Sequence, residues 1–224
     1  MCGRFSLFSD IDDISARFSA SAGSLELNPH YNIAPGADCP IIIADAVTEV
    51  KVMRWGLVPV WAKDPSIGYK MINARAETIE SKPSFKHIIK TRRCIVPCDG
   101  FFEWSATAGA AGRQPWRIKL KSGEIFGLAG LWDSWTRPGG NRLDTFTIIT
   151  TEPNNLIERI HNRMPVILER ESEGLWLDKG INDIKILKGL LKPFDPFAME
   201  MFKVSRLVNS TQNDVPECIK EIEE

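Results

Sequence analysis

The sequence predicts an α+β fold in which a mostly antiparallel β-sheet, or barrel-like core, carries peripheral helices. Short runs of β-branched and aromatic residues recur through most of the chain, turn-forming clusters separate neighbouring runs, and only a few segments carry a helix start signal. The 224 residues, 43% hydrophobic and 25% charged, suffice for a single domain spanning 1–224 with a sizeable core.

The β runs are Gly3 to Leu7, Pro40 to Ala44, Val50 to Trp55, Cys94 to Val96, Phe101 to Trp104, Trp116 to Leu120, Phe126 to Ala129, Thr145 to Thr151, Val166 to Leu168 and Met201 to Val204. Ser122-Gly123, Arg137-Pro138-Gly139-Gly140 and the loop from Ala106 to Gly112 lie between neighbouring runs. They predict hairpins and disfavour a doubly wound parallel sheet. From Met71 to Thr78 a period of two puts Asn73, Arg75 and Glu77 on one face and Ile72, Ala74 and Ala76 on the other, a polar row on an apolar-backed strand. For helices, Ser9 or Asp10 caps a segment ending near Phe18, Glu152-Pro153 starts one through Ile160, and Asn182 caps one through Leu191.

Charge and cysteine usage narrow the function classes. A formal net charge of −1 and a pI near 6.3 argue against a protein that coats nucleic acid by bulk electrostatics, so any DNA contact must use a local set of Arg and Lys. Cys2, Cys39, Cys94, Cys98 and Cys218 form an odd, sparse set, and the N-terminus lacks a charged stretch followed by an apolar one. A reducing, cytoplasmic setting is expected, nucleoid-associated if the source is prokaryotic. No run approaches the ~18 apolar residues of a membrane helix, so no membrane partner is expected. Cys94 and Cys98 have no matching second pair and histidines are few, so neither a metal nor a cofactor is predicted.

Cys2 follows the initiator Met directly, and a residue this small permits Met removal. The result is a 1,2-aminothiol. At neutral pH an α-amine of pKa ~7.8 is ~14% unprotonated against ~0.04% for a lysine, so the terminus is the better nucleophile toward an aldehyde. The neighbouring thiol can then close the imine into a five-membered thiazolidine. Glu103 sits among the rings of Phe101, Phe102 and Trp104, surroundings that disfavour its charged form and raise its pKa toward a range useful for proton transfer. His161, in Ile160-His161-Asn162-Arg163-Met164-Pro165, falls between a predicted helix and a strand, where loops present functional groups. Asn73, Arg75 and Glu77 together suit a substrate oxygen and a phosphate. Further nucleic-acid signals are Arg4, Arg163 and the cluster Lys86, Lys90, Arg92 and Arg93, with Trp55, Trp61 and Phe85 as stacking surfaces.

Taken in order, Met1-Cys2-Gly3-Arg4-Phe5, Tyr31 to Gly36, Arg54 to Pro59 with Trp61-Ala62, Ile72 to Thr78, Cys98 to Trp104, His161 to Pro165, and Val204-Ser205 through Val208-Asn209 resemble the SRAP family of SOS response-associated peptidases, or abasic-site processing proteins. The resemblance runs nearly end to end. It implies a compact β-rich fold with flanking helices and a cleft for single-stranded DNA at an abasic site. The residue matching Cys2 forms a thiazolidine with the ring-opened sugar, and those matching Asn73, Glu103 and His161 surround it. By the same resemblance Asn73 orients the terminal residue or sugar, Glu103 shuttles protons, and His161 assists sugar ring opening. Arg4, Arg75 and Arg163 hold phosphates, while Asn32, Pro35, Trp61 and Phe85 line the DNA-facing surface. Peptidase activity would be confined to the bond after Met1, and a monomer is expected. Two other readings compete: an N-terminal-nucleophile amidohydrolase, which also opens Cys-Gly after Met, and a non-catalytic single-strand binding module that would not need Cys2.

Overall fold

The structure, a computed structural model, describes residues 2–109, 112–136 and 139–222. Met1, Ala110 and Ala111 of the predicted loop, and Arg137 and Pro138 of the predicted turn, lie outside the described residues. The chain runs β1 (Phe5–Leu7), α1 (Ile11–Phe18), β2 (His30–Ile33), β3 (Asp38–Ala44), β4 (Thr48–Trp55), β5 (Asn73–Arg75), α2 (Ile88–Thr91) and β6 (Arg93–Cys98). It continues through β7 (Gly100–Gly109), β8 (Gly112–Leu120), β9 (Phe126–Thr136), β10 (Arg142–Thr151), β11 (Met164–Pro165), α3 (Arg170–Leu177), α4 (Ile184–Gly189) and β12 (Met199–Lys203).

One sheet has the order β12-β8-β7-β1-β2 and a second β11-β10-β4-β3-β6-β9. Because β10 also pairs with β9, the strands β10, β4, β3, β6 and β9 close into a barrel, which leaves them no open edge among themselves. Most ladders are antiparallel, as predicted; β4 and β5 are the exceptions, both lying parallel to β10. β10 is the hub. Its Ile148 lies between Asn73 of β5 and Gly130 of β9, and its Thr150 between Arg75 and Pro165 of β11.

The two sheets meet on Trp55. Its ring takes the edge of Phe5 at 5.2 Å and 62° and stacks on Phe146 at 6.3 Å, and its indole N–H donates to Ile72 O at 2.9 Å. At 1% exposure Trp55 is core, not the base-stacking surface its residue type suggested. Among the described residues, no helix is long and apolar enough to cross a membrane.

Local signals worked where side chain and backbone agree. Asp10 caps α1 by accepting from Asp13 N at 2.8 Å, and Ile14 and Phe18 face the core. The predicted helix from Glu152-Pro153 is instead a turn with a short 3-10 segment, Ile157–Arg159. Asn154 Oδ1 accepts from Leu156 and Ile157 N, so the cap falls too close to Ile160 to leave room for an α-helix. α4 is capped by Asp183 rather than Asn182. The Val166 to Leu168 run contributes only an isolated bridge from Ile167 to Leu128, the ladder itself lying at Met164–Pro165. α3 was not predicted: its buried face includes Glu173, whose carboxylate takes Arg17 bidentately at 2.8 and 2.9 Å, so the hydrophobic period is broken by a charge.

The loop between β4 and β5 is closed by two glycines. Gly56 has φ +123°, and a Cβ there would stand 2.8 Å from Gly68 O. Gly23, at φ +60°, has nothing within 4 Å of the same position. Gly56→Ala is therefore expected to cost ~2–4 kcal/mol and Gly23→Ala only ~1 kcal/mol, measured by urea denaturation. Equal losses would show that close approach at Gly56 does not constrain the loop.

Candidate functional site

The N-terminal strand delivers Cys2 to the junction of the two sheets. β1 pairs with β7 at Phe5↔Phe101, and the Phe102 N–H donates to Arg4 O at 2.9 Å, which continues that contact toward the terminus. Cys2 is fully buried. From the barrel side, Asn73 of β5 donates its Nδ2 to Cys2 O at 2.8 Å, while its Oδ1 is buried without a hydrogen-bond partner. The carboxamide thus fixes the cysteine backbone with one end and keeps an acceptor in reserve.

Glu103 of β7 is 3% exposed, and burial pushes its carboxyl up to about 7, the direction the sequence predicted, although Phe102 and Trp104 alternate to the other face of the strand and pack in a separate cluster. Burial, reinforced by Glu103, raises the Cys2 thiol well above its usual range. Facing Glu103 Oε2 at 3.7 Å is His161 Nε2, on the loop that enters β11. The imidazole Nδ1 lies 3.1 Å from both the N and the O of Arg163. In the tautomer protonated on Nε2, Nδ1 accepts from the Arg163 N–H and Nε2 presents its proton toward Glu103. Burial pulls the His161 pKa down, with the nearby Arg113 and Arg163 acting in the same direction against a backbone hydrogen bond that raises it. A thiol, a carboxyl and an imidazole are thereby brought together in a largely dry site.

Cys2, Asn73, Glu103 and His161, separate in sequence, are joined by these contacts. The residues assigned to DNA scatter. Arg75 and Trp61 are exposed, Trp61 at 56%, and Pro35 is half-buried. Arg4 is buried, not a surface phosphate ligand: it donates to Asn32 Oδ1 and Val208 O, both at 2.6 Å, beneath Trp104. Asn32 is likewise spent inside, its Nδ2 donating to Ser210 O and Asn213 O at 2.9 and 2.6 Å. Phe85 is 8% exposed and packs in the core. Arg163 has both terminal nitrogens on Glu77, at 2.7 and 3.0 Å, and one also on Thr150 O at 2.6 Å. The expected basic cluster keeps only its lysines free of these contacts: Lys86 and Lys90 are exposed, whereas Arg93 is buried against the carbonyls of Ile89, Trp176 and Asp178, and Arg92 pairs with Asp133. In each buried or paired case the side chain meets a partner that residue type alone does not reveal.

Arg113 and Thr150 were missed. Arg113 follows the loop predicted from Ala106 to Gly112, and Thr150 reads as ordinary strand; only the pairing of β8 with β7 and of β10 with β5 and β11 brings them near the site. Among the described residues no group of three or more His, Cys, Asp or Glu is arranged to hold a metal ion.

A family model described as SOS response associated peptidase (SRAP) matches residues 1–211. The chain is 49% identical over 223 residues to the abasic site processing protein YoqW of Bacillus subtilis, covering 98% of this chain and 99% of that one. To the abasic site processing protein HMCES of Rattus norvegicus it is 35% identical over 229 residues, covering 85% of this chain and 64% of the relative. A crystal structure of a protein from Bacteroides thetaiotaomicron matches with a TM-score of 0.90 at 33% identity, covering 99% of this chain and 100% of that one.

The carboxyl of Glu103 carries a pH signature. Its folded pKa of about 7 stands above the ordinary 4.5, so the folded state binds the proton more tightly, and stability falls as pH rises from about 4.5 through about 7. Glu103→Gln removes this dependence, and the variant is expected to gain on the order of 3 kcal/mol relative to wild type between about pH 4 and pH 8. Denaturant midpoints measured across that range test this; parallel profiles for the two proteins would contradict it.

Proposed function

The chain belongs to the SRAP family, and on that premise we propose that it processes abasic sites in single-stranded DNA by bonding to them through Cys2. The observation that carries the reading is geometric: buried Cys2 is held by Asn73 at 2.8 Å, and the buried Glu103 carboxyl, which burial pushes up to about 7, faces His161 at 3.7 Å. A thiol that burial keeps protonated needs a base as it attacks, and an acid must also be available earlier, when the sugar loses water. One group with a pKa of about 7 serves both needs.

The proposed sequence begins with hydrolysis of the Met1–Cys2 peptide bond, by self-processing or by another peptidase. The freed α-amine attacks the aldehyde carbon of the ring-opened deoxyribose, giving a carbinolamine. Loss of one water, with a proton supplied by the Glu103 carboxyl, gives the imine. The nitrogen keeps its hydrogen, so that imine is formed protonated; the Cys2 sulfur adds to its carbon as the thiol proton passes to the Glu103 carboxylate and the C=N pair returns to nitrogen, closing a thiazolidine with no other leaving group. Asn73, already bonded to Cys2 O, orients the terminal residue and offers Oδ1 to its amine. His161 favours ring opening by proton transfer at the sugar hydroxyl.

The exposed Arg75 and Trp61 and the half-buried Pro35 supply the phosphate and base contacts in this reading. One chain holds all four reacting groups, so a monomer is the proposed unit, working in the reducing cytoplasm that the free cysteines suit.

Incubated with single-stranded DNA carrying an abasic site, the processed protein should give a band that survives denaturing electrophoresis. Cys2→Ala, or wild type with an N-terminal extension that keeps Cys2 internal, should give none; an equal yield from either removes the aminothiol from the chemistry. Arg75→Ala should weaken binding and flatten the log-log salt dependence by ~0.7 for each phosphate that Arg75 neutralises, and an unchanged slope would exclude Arg75 as a phosphate ligand.

A further inference from the structure

Glu77 has no part in the chemistry above, yet it grips the segment that carries His161. Its two carboxylate oxygens take the two terminal nitrogens of Arg163 at 2.7 and 3.0 Å, and one of those nitrogens also donates to Thr150 O at 2.6 Å on β10. The Arg163 side chain, 14% exposed, is therefore held between a carboxylate and a strand carbonyl. Its own main chain brackets the imidazole, N and O each 3.1 Å from His161 Nδ1. The opposite ring nitrogen is the one that faces Glu103. Exposed ion pairs generally contribute little, but a bidentate fork on a mostly shielded guanidinium adds geometric restraint even where the carboxylate is half-exposed.

We infer that Glu77 is a positioning residue, which by fixing Arg163 holds the His161 ring in the orientation and tautomer that turn Nε2 toward Glu103. The alternative is that β11 alone, through its Thr151↔Met164 pairing, fixes the loop and leaves the ion pair dispensable. For its effect on the reaction the inference rests on the proposed roles of Glu103 and His161; for its effect on the ring it rests on geometry alone.

The test is nitrogen NMR of the imidazoles in uniformly labelled protein, at a pH where His161 is neutral, with His161→Gln assigning the signals. In wild type the two ring nitrogens of His161 should be widely separated, the mark of one tautomer. Glu77→Gln should draw them toward a common value. Arg163→Lys should do the same, because an ammonium cannot form the fork. The double variant should go no further than either single one, and Glu77→Asp should restore part of the separation. Glu77 is half-exposed, and melting curves check that each variant is folded. On abasic single-stranded DNA, Glu77→Gln should slow adduct formation by about 10- to 100-fold, the scale expected for a displaced catalytic group.

Unchanged ring signals in folded Glu77→Gln would overturn the positioning role. Altered signals with an unchanged adduct rate would overturn its bearing on the reaction. If the ring responds as expected but wild type forms no adduct, the functional reading fails and the positioning role stands.

Discussion

The guanidinium of Arg4 donates to Asn32 and to the carbonyl of Val208, and through these bonds the first strand is tied to a segment near the other end of the chain. Chain ends ordinarily stay in solvent, because ordering each backbone residue costs ~1–2 kcal/mol with few contacts to offset it. Here the second residue is fully buried. Burial depresses the Arg4 pKa, so its charge is held at a cost, and each hydrogen bond to it contributes ~1.5–3 kcal/mol in return. Asn32 extends the clamp to Ser210 and Asn213, and Asp214 accepts from the N–H groups of Tyr31 and Asn32 at 2.6 and 2.9 Å. That clamp adds to the β1–β7 pairing and to the Asn73 bond in holding Cys2 at the depth where Glu103 reaches it.

The same burial sets the charge state of the site. Desolvation raises the Cys2 thiol and the Glu103 carboxyl and lowers the His161 imidazole, so each is driven toward its neutral form. Three ionised groups in a dry junction would be far more costly to fold around than three neutral ones. Neutrality also suits a reaction made of successive proton transfers, since each group can give or accept a proton without leaving a buried charge that has no nearby counterpart. Stability and chemistry thus draw on one physical cause, with the Trp55 stack keeping the two sheets, and hence the groups on each, in register.

How much of this was legible in the sequence depends on whether the signal is local. The runs of β-branched and aromatic residues were readable, as was a cap at Ser9 or Asp10, because the deciding contacts lie within a few residues; of the period-two run from Met71 to Thr78 only Asn73–Arg75 is strand, Ala76–Thr78 turning into a 3-10 segment. Barrel closure by the β9–β10 pairing, and the parallel entry of β4 and β5 onto β10, depend on distant partners and leave no local trace. Cys2, Glu103 and His161 stood out because neighbouring residues explained their chemistry. Arg4, Asn32, Trp55 and Phe85 were misassigned because a side chain that suits phosphate or a base suits buried carbonyls or a core equally well. Glu77 and Arg163 were each noticed, but their pairing across 86 residues was not.

The fate of the arginines bears on how a chain of net charge −1 addresses a polyanion. Arg4 and Arg93 are buried and Arg163 is engaged by Glu77, whereas Arg75, paired in register with Thr150, is exposed beside the site. With Arg4, Arg93 and Arg163 engaged inside the fold, fewer arginines are left for phosphates, and phosphate-driven affinity grows with the number of charges neutralised. On the proposed reading this is no defect. Undamaged strands, which offer no aldehyde, would be released quickly, while a strand carrying the lesion would be retained by a covalent bond whose lifetime owes nothing to salt. Selectivity would then come from the electrophile, leaving the surface only the task of bringing a strand within reach of Cys2.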